Sequence, residues 1–265
     1  DLGYIYDSNT NTYTVYNANG LMNVAELVNG GKTDINITLD KNIDLTGKDW
    51  TPIGTDYDNS YTGTFDGGGH TITGLTITTK DQFVGLFGYL NRAGTVKNVV
   101  MEGIQITSNH VLMSGNTGGV VGYSWGTIEN CSVSGSVSGT VYVGGVVGVQ
   151  IGGSITGCSS SATVKGTVDV GGVAGQTNSS ATLTACYATG NVIIEMAPKK
   201  NIAGGGLVGM NAGSSLLACY ATGNVTSTGS STGYVHIGGF LGNNYTTVTA
   251  CYWKNNHEQG IGYNK

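Results

Sequence analysis

Apolar and polar residues alternate along most of this chain in short runs, and the runs recur. Seven-residue segments with small or branched apolar residues at their second and fifth positions stand at 71–77 (TITGLTI), 95–101 (TVKNVVM), 127–133 (TIENCSV) and 154–160 (SITGCSS). The same pattern returns at 182–188 (TLTACYA), 215–221 (SLLACYA) and 247–253 (TVTACYW). Ahead of the last six lies a Gly-x-x-Gly, at 85–88, 119–122, 145–148, 172–175, 206–209 and 239–242. Self-similarity at such a period marks a repeat architecture, and it predicts seven turns of one unit.

The period alone does not choose between helix and strand. The segments are poor in Leu, Glu, Lys and Ala and rich in Val, Ile, Thr and Tyr between Gly-rich turns, which predicts strands. They lack the Asn-Gly signals of antiparallel hairpins, so coils stacked in parallel, about 4.8 Å apart, are expected.

Two apolar columns carry this prediction. The first is Ile72, Val96, Ile128, Ile155, Leu183, Leu216 and Val248; the second, three residues on, is Leu75, Val99, Cys131, Cys158, Cys186, Cys219 and Cys251. A position filled by Leu or Val in two turns and by Cys in five is a small apolar core slot, in which a free thiol acts as a hydrophobe. The odd number of cysteines argues against a disulfide framework, although stacked thiols in neighbouring turns leave adventitious oxidation open. Their spacings of 27, 28, 33 and 32 match no zinc motif.

Composition sharpens the picture. With 46 Gly, 2 Pro and 10% charged residues in 265, the chain is far from an average globular domain, and 39% hydrophobic content argues against disorder. A net charge of −5, with Arg92 the one arginine beside ten lysines, gives no basic footprint for nucleic acid. No apolar run approaches the roughly 18 residues of a membrane-spanning helix.

The ends read differently from the middle. In NANGLMNVAELVNGG, Leu21, Val24, Ala25 and Val28 share one helical face, with Asn at the start and Gly after the end, so 17–31 is expected to be a capping helix. Residues 34–83 are assigned to the first coils and 84–254 to the regular repeats, all within one domain spanning 17–265. Residues 1–16 are set apart as an extension, either an outer strand or a linker. Residues 255–265 turn polar and charged, as a closing cap or a linker would.

GGLVGMNAGSSLLACYATGNV (205–225) and GGVAGQTNSSATLTACYATGNV (171–192) closely resemble the GLUG motif. The resemblance covers 118–254 well, 84–106 loosely, and the first third only through WTPIG (50–54) and FDGGGHTITGLTI (65–77). Such repeats occur in bacterial secreted and surface proteins, including adhesins and the non-catalytic regions of immunoglobulin A peptidases. The resemblance implies an all-β fold, a right-handed parallel β-helix. It also implies a secreted or cell-surface location.

Chemistry has few places to reside. Of sixteen acidic residues, twelve fall in 1–110, and the repeats are nearly uncharged. Asp49, Asp56, Asp58 and Asp66, with His70, offer the one loop where an acid/base pair of a glycan-active enzyme or a calcium site could form. Trp50, Tyr57 and Tyr61 on that loop could stack on sugar rings. Turn chemistry and packing account for the same residues more simply. Tyr187, Tyr220 and Tyr252, each following an inward Cys, are expected to form an outward ladder, either for ligand contact or for sheet stability. The third repeat lacks this Tyr. No catalytic residue, metal ligand or cofactor is assigned. The expectation is a monomeric or tethered, non-catalytic adhesive or stalk module that contacts a host or matrix glycan or protein. A glycan-active β-helix with its site near 49–70 and a purely structural spacer are the alternatives.

Overall fold

The computed structural model describes residues 1–265, and in it the chain winds through four sheets in a fixed order. One coil shows the plan. Tyr142–Gly144 lies in a six-stranded sheet, Val147–Gln150 in a seven-stranded sheet and Ser154–Thr156 in a ten-stranded sheet. Ser159–Ser160 and Thr163–Gly166 follow in a twelve-stranded sheet, and Asp169–Gly171 then begins the next coil directly above Tyr142–Gly144. The fold is an all-β parallel solenoid with a single helix, as the resemblance implies.

Successive rungs of the ten-stranded sheet pair in register: Phe65 with Val96, then Ile128, Ile155, Leu183, Leu216 and Val248. The second column is equally continuous from Val99 upward. The amide two residues beyond the start of each corner reaches back to the coil beneath, so that Ser132 N–H donates to the Val99 carbonyl and Ser159 to that of Cys131. Tyr187, Tyr220 and Tyr252 donate likewise to Cys158, Cys186 and Cys219.

The columns depart from expectation at their lower end. Ile72 does not sit below Val96; it pairs with Met101 and Ile43 in the twelve-stranded sheet, and Phe65 occupies the place assigned to it. Leu75 is buried but belongs to another column, its carbonyl accepting from Gln105 N–H beside Ile104. The cause is the wider turn at Gly67–His70, where Gly68 and Gly69 adopt φ of +60° and +78°. That turn absorbs extra residues, and TITGLTI then satisfies its alternation within one sheet.

The sharp corner before each Cys has a conformational signature. Asn98, Asn130, Ala185, Ala218 and Ala250, and Gly157 in the third repeat, all lie in the left-handed region at φ between 49° and 64°. This reversal turns Val99 and the cysteines inward while the next residue points out. Asn and Gly suit the position; Ala is strained there.

The Gly-x-x-Gly has a steric cause. A Cβ on Gly175 would lie 2.6 Å from the Val143 amide nitrogen and 2.8 Å from the carbonyl oxygens of Asp169 and Gly148. The six- and seven-stranded sheets therefore approach backbone to backbone, which only glycine permits.

The helix Ala18–Asn29 covers the first coils, with the Asn17 side chain accepting from Gly20 N–H and Leu21, Val24, Ala25 and Val28 buried. Residues 1–16 are not an appendage. Tyr4–Asp7 and Thr12–Val15 form a hairpin whose second strand continues the ten-stranded sheet in parallel with Asn36–Leu39. Tyr13 and Val15 are buried, so this segment belongs to the solenoid. At the other end Ile261–Asn264 adds a last rung against Leu241–Asn244.

Candidate functional site

The five cysteines are free thiols, four of them buried and Cys251 half-buried. Each sulfur sits against the carbonyl two residues back in its own coil, and the first four also contact a carbonyl of the coil beneath. Hydrogen bonding with the adjoining Cys131, together with burial, holds the Cys158 thiol well above its ordinary range. A nucleophilic role is thereby disfavoured.

Outward of this column, Tyr187, Tyr220 and Tyr252 stand in register. Their ring centroids are 4.8 and 4.9 Å apart with interplanar angles of 4° and 8°. Each ring thus covers its neighbour's face. Partial burial, with the two flanking phenols, raises the Tyr220 hydroxyl above its ordinary pKa. Below Tyr187 the column continues with Ser159, Ser132 and Val100. The lower face of Tyr187 therefore has no ring against it and overlooks a shallow groove of about 270 Å³. Ser132, Ser134, Ser159, Ser161, Thr189 and Glu102 supply its polar lining. The missing Tyr of the third repeat is what opens this ledge.

The loop at 49–70 is built otherwise. Trp50 is 7% exposed and donates its indole N–H to the Leu86 carbonyl; Tyr61 is fully buried and donates its hydroxyl to the Ile35 carbonyl. Tyr61 thus presents no face to solvent, whereas Trp50, largely covered, still borders two of the clefts described below. Tyr57, 72% exposed, remains at the surface. Asp56 accepts from Asn59 N–H, and Asp66 from Gly68 N–H and the Asn98 amide, so both carboxylates close turns. His70 donates its backbone N–H to the Gly67 carbonyl in the same turn. Three shallow clefts adjoin this region, one bringing Glu26 and Asp49 together, another Asp56 and Asp81, and a third Asp49 and Asp81. None is lined by Lys, Arg or His. No group of three or more His, Cys, Asp or Glu converges anywhere in the fold.

The sequence pattern of the GLUG motif matches residues 113–138 and 139–165. Residues 113–165 are thus two GLUG repeats. The GLUG coil extends in space beyond the two matched units, because the same rungs, left-handed corners and inward cysteines continue through Cys251. Halomucin from Haloquadratum walsbyi is 38% identical over 121 residues, 42% of this chain and 1% of that protein. A Gly-rich membrane protein from Evansella cellulosilytica is 34% identical over 130 residues, 46% of this chain and 14% of its own length. The aligned GLUG region thus spans a small fraction of either relative. Among solved structures, a Bacteroides ovatus chain described as a candidate immunoglobulin A1 protease superposes with a TM-score of 0.75 at 22% identity. It covers 96% of this chain and 84% of that one, a likeness of fold.

Proposed function

We propose that this chain is a non-catalytic, secreted or cell-surface β-solenoid that acts as a stalk and adhesive module, with a glycan as its contact. The observation that carries the reading is the free face of Tyr187 above a ledge of serine and threonine hydroxyls. A flat aromatic face beside hydroxyls suits a pyranose ring, which presents apolar C–H groups on one side and hydroxyls at its edge. Tyr220, with a ring on each face, extends the surface by its edge and hydroxyl, whereas Tyr252 ends the stack with one face not covered by another ring.

Location is supported by the company the repeats keep: one relative is named as a membrane protein and the fold neighbour as a candidate protease of a secreted antibody class. The non-catalytic reading is supported by Asp56 and Asp66, whose carboxylates are engaged in closing the turns of 49–70.

A glycan and matrix-protein array probed with the wild-type chain and with Tyr187→Ala tests the proposal. Binding to a glycan class that Tyr187→Ala abolishes and Tyr57→Ala leaves intact is expected. An array with no signal, or a signal indifferent to Tyr187, overturns the adhesive reading in favour of a spacer.

A further inference from the structure

The cysteine column has a metric property that core filling does not use. Cys131, Cys158, Cys186, Cys219 and Cys251 all place their sulfur within 3.2 to 3.5 Å of the carbonyl oxygen two residues earlier. That contact holds each sulfur close to its own coil in the same way, although Cys251 accepts from the Cys219 amide where the other four touch a carbonyl of the coil beneath. Identical side chains on successive in-register rungs are displaced by the rung spacing, about 4.8 Å. The tyrosines in the next position, at 4.8 and 4.9 Å, confirm that translation in this part of the stack.

Two metal–thiolate bonds of about 2.3 Å laid end to end span about 4.6 Å. Sulfurs displaced by one rung spacing therefore match linear coordination of one ion between two rungs. A disulfide, at about 2.05 Å, would need the sulfurs to close by more than half that gap. Zinc would need four ligands in a tetrahedron, and a straight column offers two. The sequence spacing that argues against a zinc site therefore leaves the linear thiolate site open.

Access selects one pair. Cys131, Cys158, Cys186 and Cys219 are at most 1% exposed, whereas Cys251, on the final coil, is only partly covered. The Cys219 backbone N–H also donates to the Cys251 sulfur at 3.4 Å, a contact that favours thiolate there. We propose that Cys219 and Cys251 form a two-coordinate site for a soft monovalent d10 cation of the silver(I) or copper(I) class. On binding, two S–H bonds release their protons to solvent and two S–metal bonds form, with no change of oxidation state. A soft cation is the class that two thiolate sulfurs select. Zinc is rejected by the ligand count and harder cations by their preference for oxygen donors.

The test titrates silver nitrate, in chloride-free buffer, into the full chain reduced beforehand. Native mass spectrometry should show one silver per chain, and Cys251 should lose its reactivity toward a thiol reagent in step with it. Cys251→Ser and Cys219→Ala should each weaken silver binding by about 100-fold or more, while Cys158→Ala, one coil further inside than the neighbouring thiol, leaves it unchanged. Circular dichroism confirms that each variant is folded; Cys251→Ser, at a partly exposed position, is the variant on which the test rests. Equal silver affinity in wild type and Cys251→Ser overturns the proposal. So does absence of silver binding with Cys251 demonstrably reduced, or a Cys219–Cys251 disulfide in the protein as isolated.

Discussion

The ring of Tyr187 lies 4.8 Å from that of Tyr220 and within 4° of parallel. Tyr220 is sandwiched, with Tyr252 at 4.9 Å on its other side, whereas Tyr187 and Tyr252 each have one neighbour. Aromatic pairs contribute about 0.5–1.5 kcal/mol each beyond their buried area. Tyr220→Ala breaks two pairs and should destabilise by about 1–3 kcal/mol, roughly twice the effect of Tyr252→Ala. Urea unfolding of the two variants checks this. Equal losses would show that the stack contributes nothing beyond single-residue burial.

The glycines separate into two kinds. A Cβ at Gly175 meets only backbone atoms, of the facing sheet and of the coil beneath in its own sheet, which cannot yield without moving a strand, and Gly175→Ala should cost about 2–3 kcal/mol. Gly103 has φ of +62° with open space around it, so Gly103→Ala should cost about 1 kcal/mol through backbone strain alone. Thermal melts should rank Gly175→Ala well below Gly103→Ala. The reverse order would contradict the close sheet approach.

Ala218 sits at φ of +54° on the surface, in the corner that turns Cys219 inward. Glycine fills the same corner at 157 with φ of +64°. Ala218→Gly relieves left-handed strain while burying and exposing no side chain of consequence, and should stabilise by about 0.5–1 kcal/mol. Ala185 and Ala250 occupy equivalent corners and should respond alike. A raised unfolding midpoint in all three is expected; destabilisation would mean the corner is held by something other than φ.

How much of the fold is legible in the sequence depends on whether a residue's neighbours share its repeat. Cys131 through Cys251 and the Gly-x-x-Gly pairs are legible because the same slot is sampled once per coil, so a core position shows itself by being filled with small apolar residues each time. The helix face of Leu21, Val24, Ala25 and Val28 is legible from local periodicity. Ile72 and Leu75 lie one sheet away from where the repeat frame predicts, because strand alternation looks the same in every sheet and the Gly67–His70 turn changes the count. Trp50 and Tyr61 read as surface aromatics because their loop is polar; the carbonyls that bury them, Leu86 and Ile35, are 36 and 26 residues away. The ledge under Tyr187 is present in the sequence only as a Tyr missing from the third repeat, and its meaning needs the register.

Asp169 is the residue whose behaviour is least visible in its surroundings in sequence. It is 4% exposed and stacks between Tyr142 below and Ala203 above, with no cation paired to it; the ion pair in the fold is Lys165–Glu195 at 2.7 Å. Burial pushes its carboxyl up to about 7. The phenols of Tyr142 and Tyr234 face it and are themselves raised, by burial first and by its charge second. The folded state therefore holds this proton more tightly than the unfolded chain, whose carboxyl titrates near 3.8. Stability from this group is fully present below pH 4, falls as pH rises from about 4 to 7, and stays at its lower level above. A tenfold difference in proton affinity between the two states corresponds to about 1.4 kcal/mol, so the loss across that window is of order a few kcal/mol. Asp169→Asn removes the titration and should be more stable than wild type at pH 8 yet nearly equal to it at pH 4. Urea unfolding at pH 4, 6 and 8 for both proteins measures the difference. Parallel pH dependence in the two would place the buried charge elsewhere.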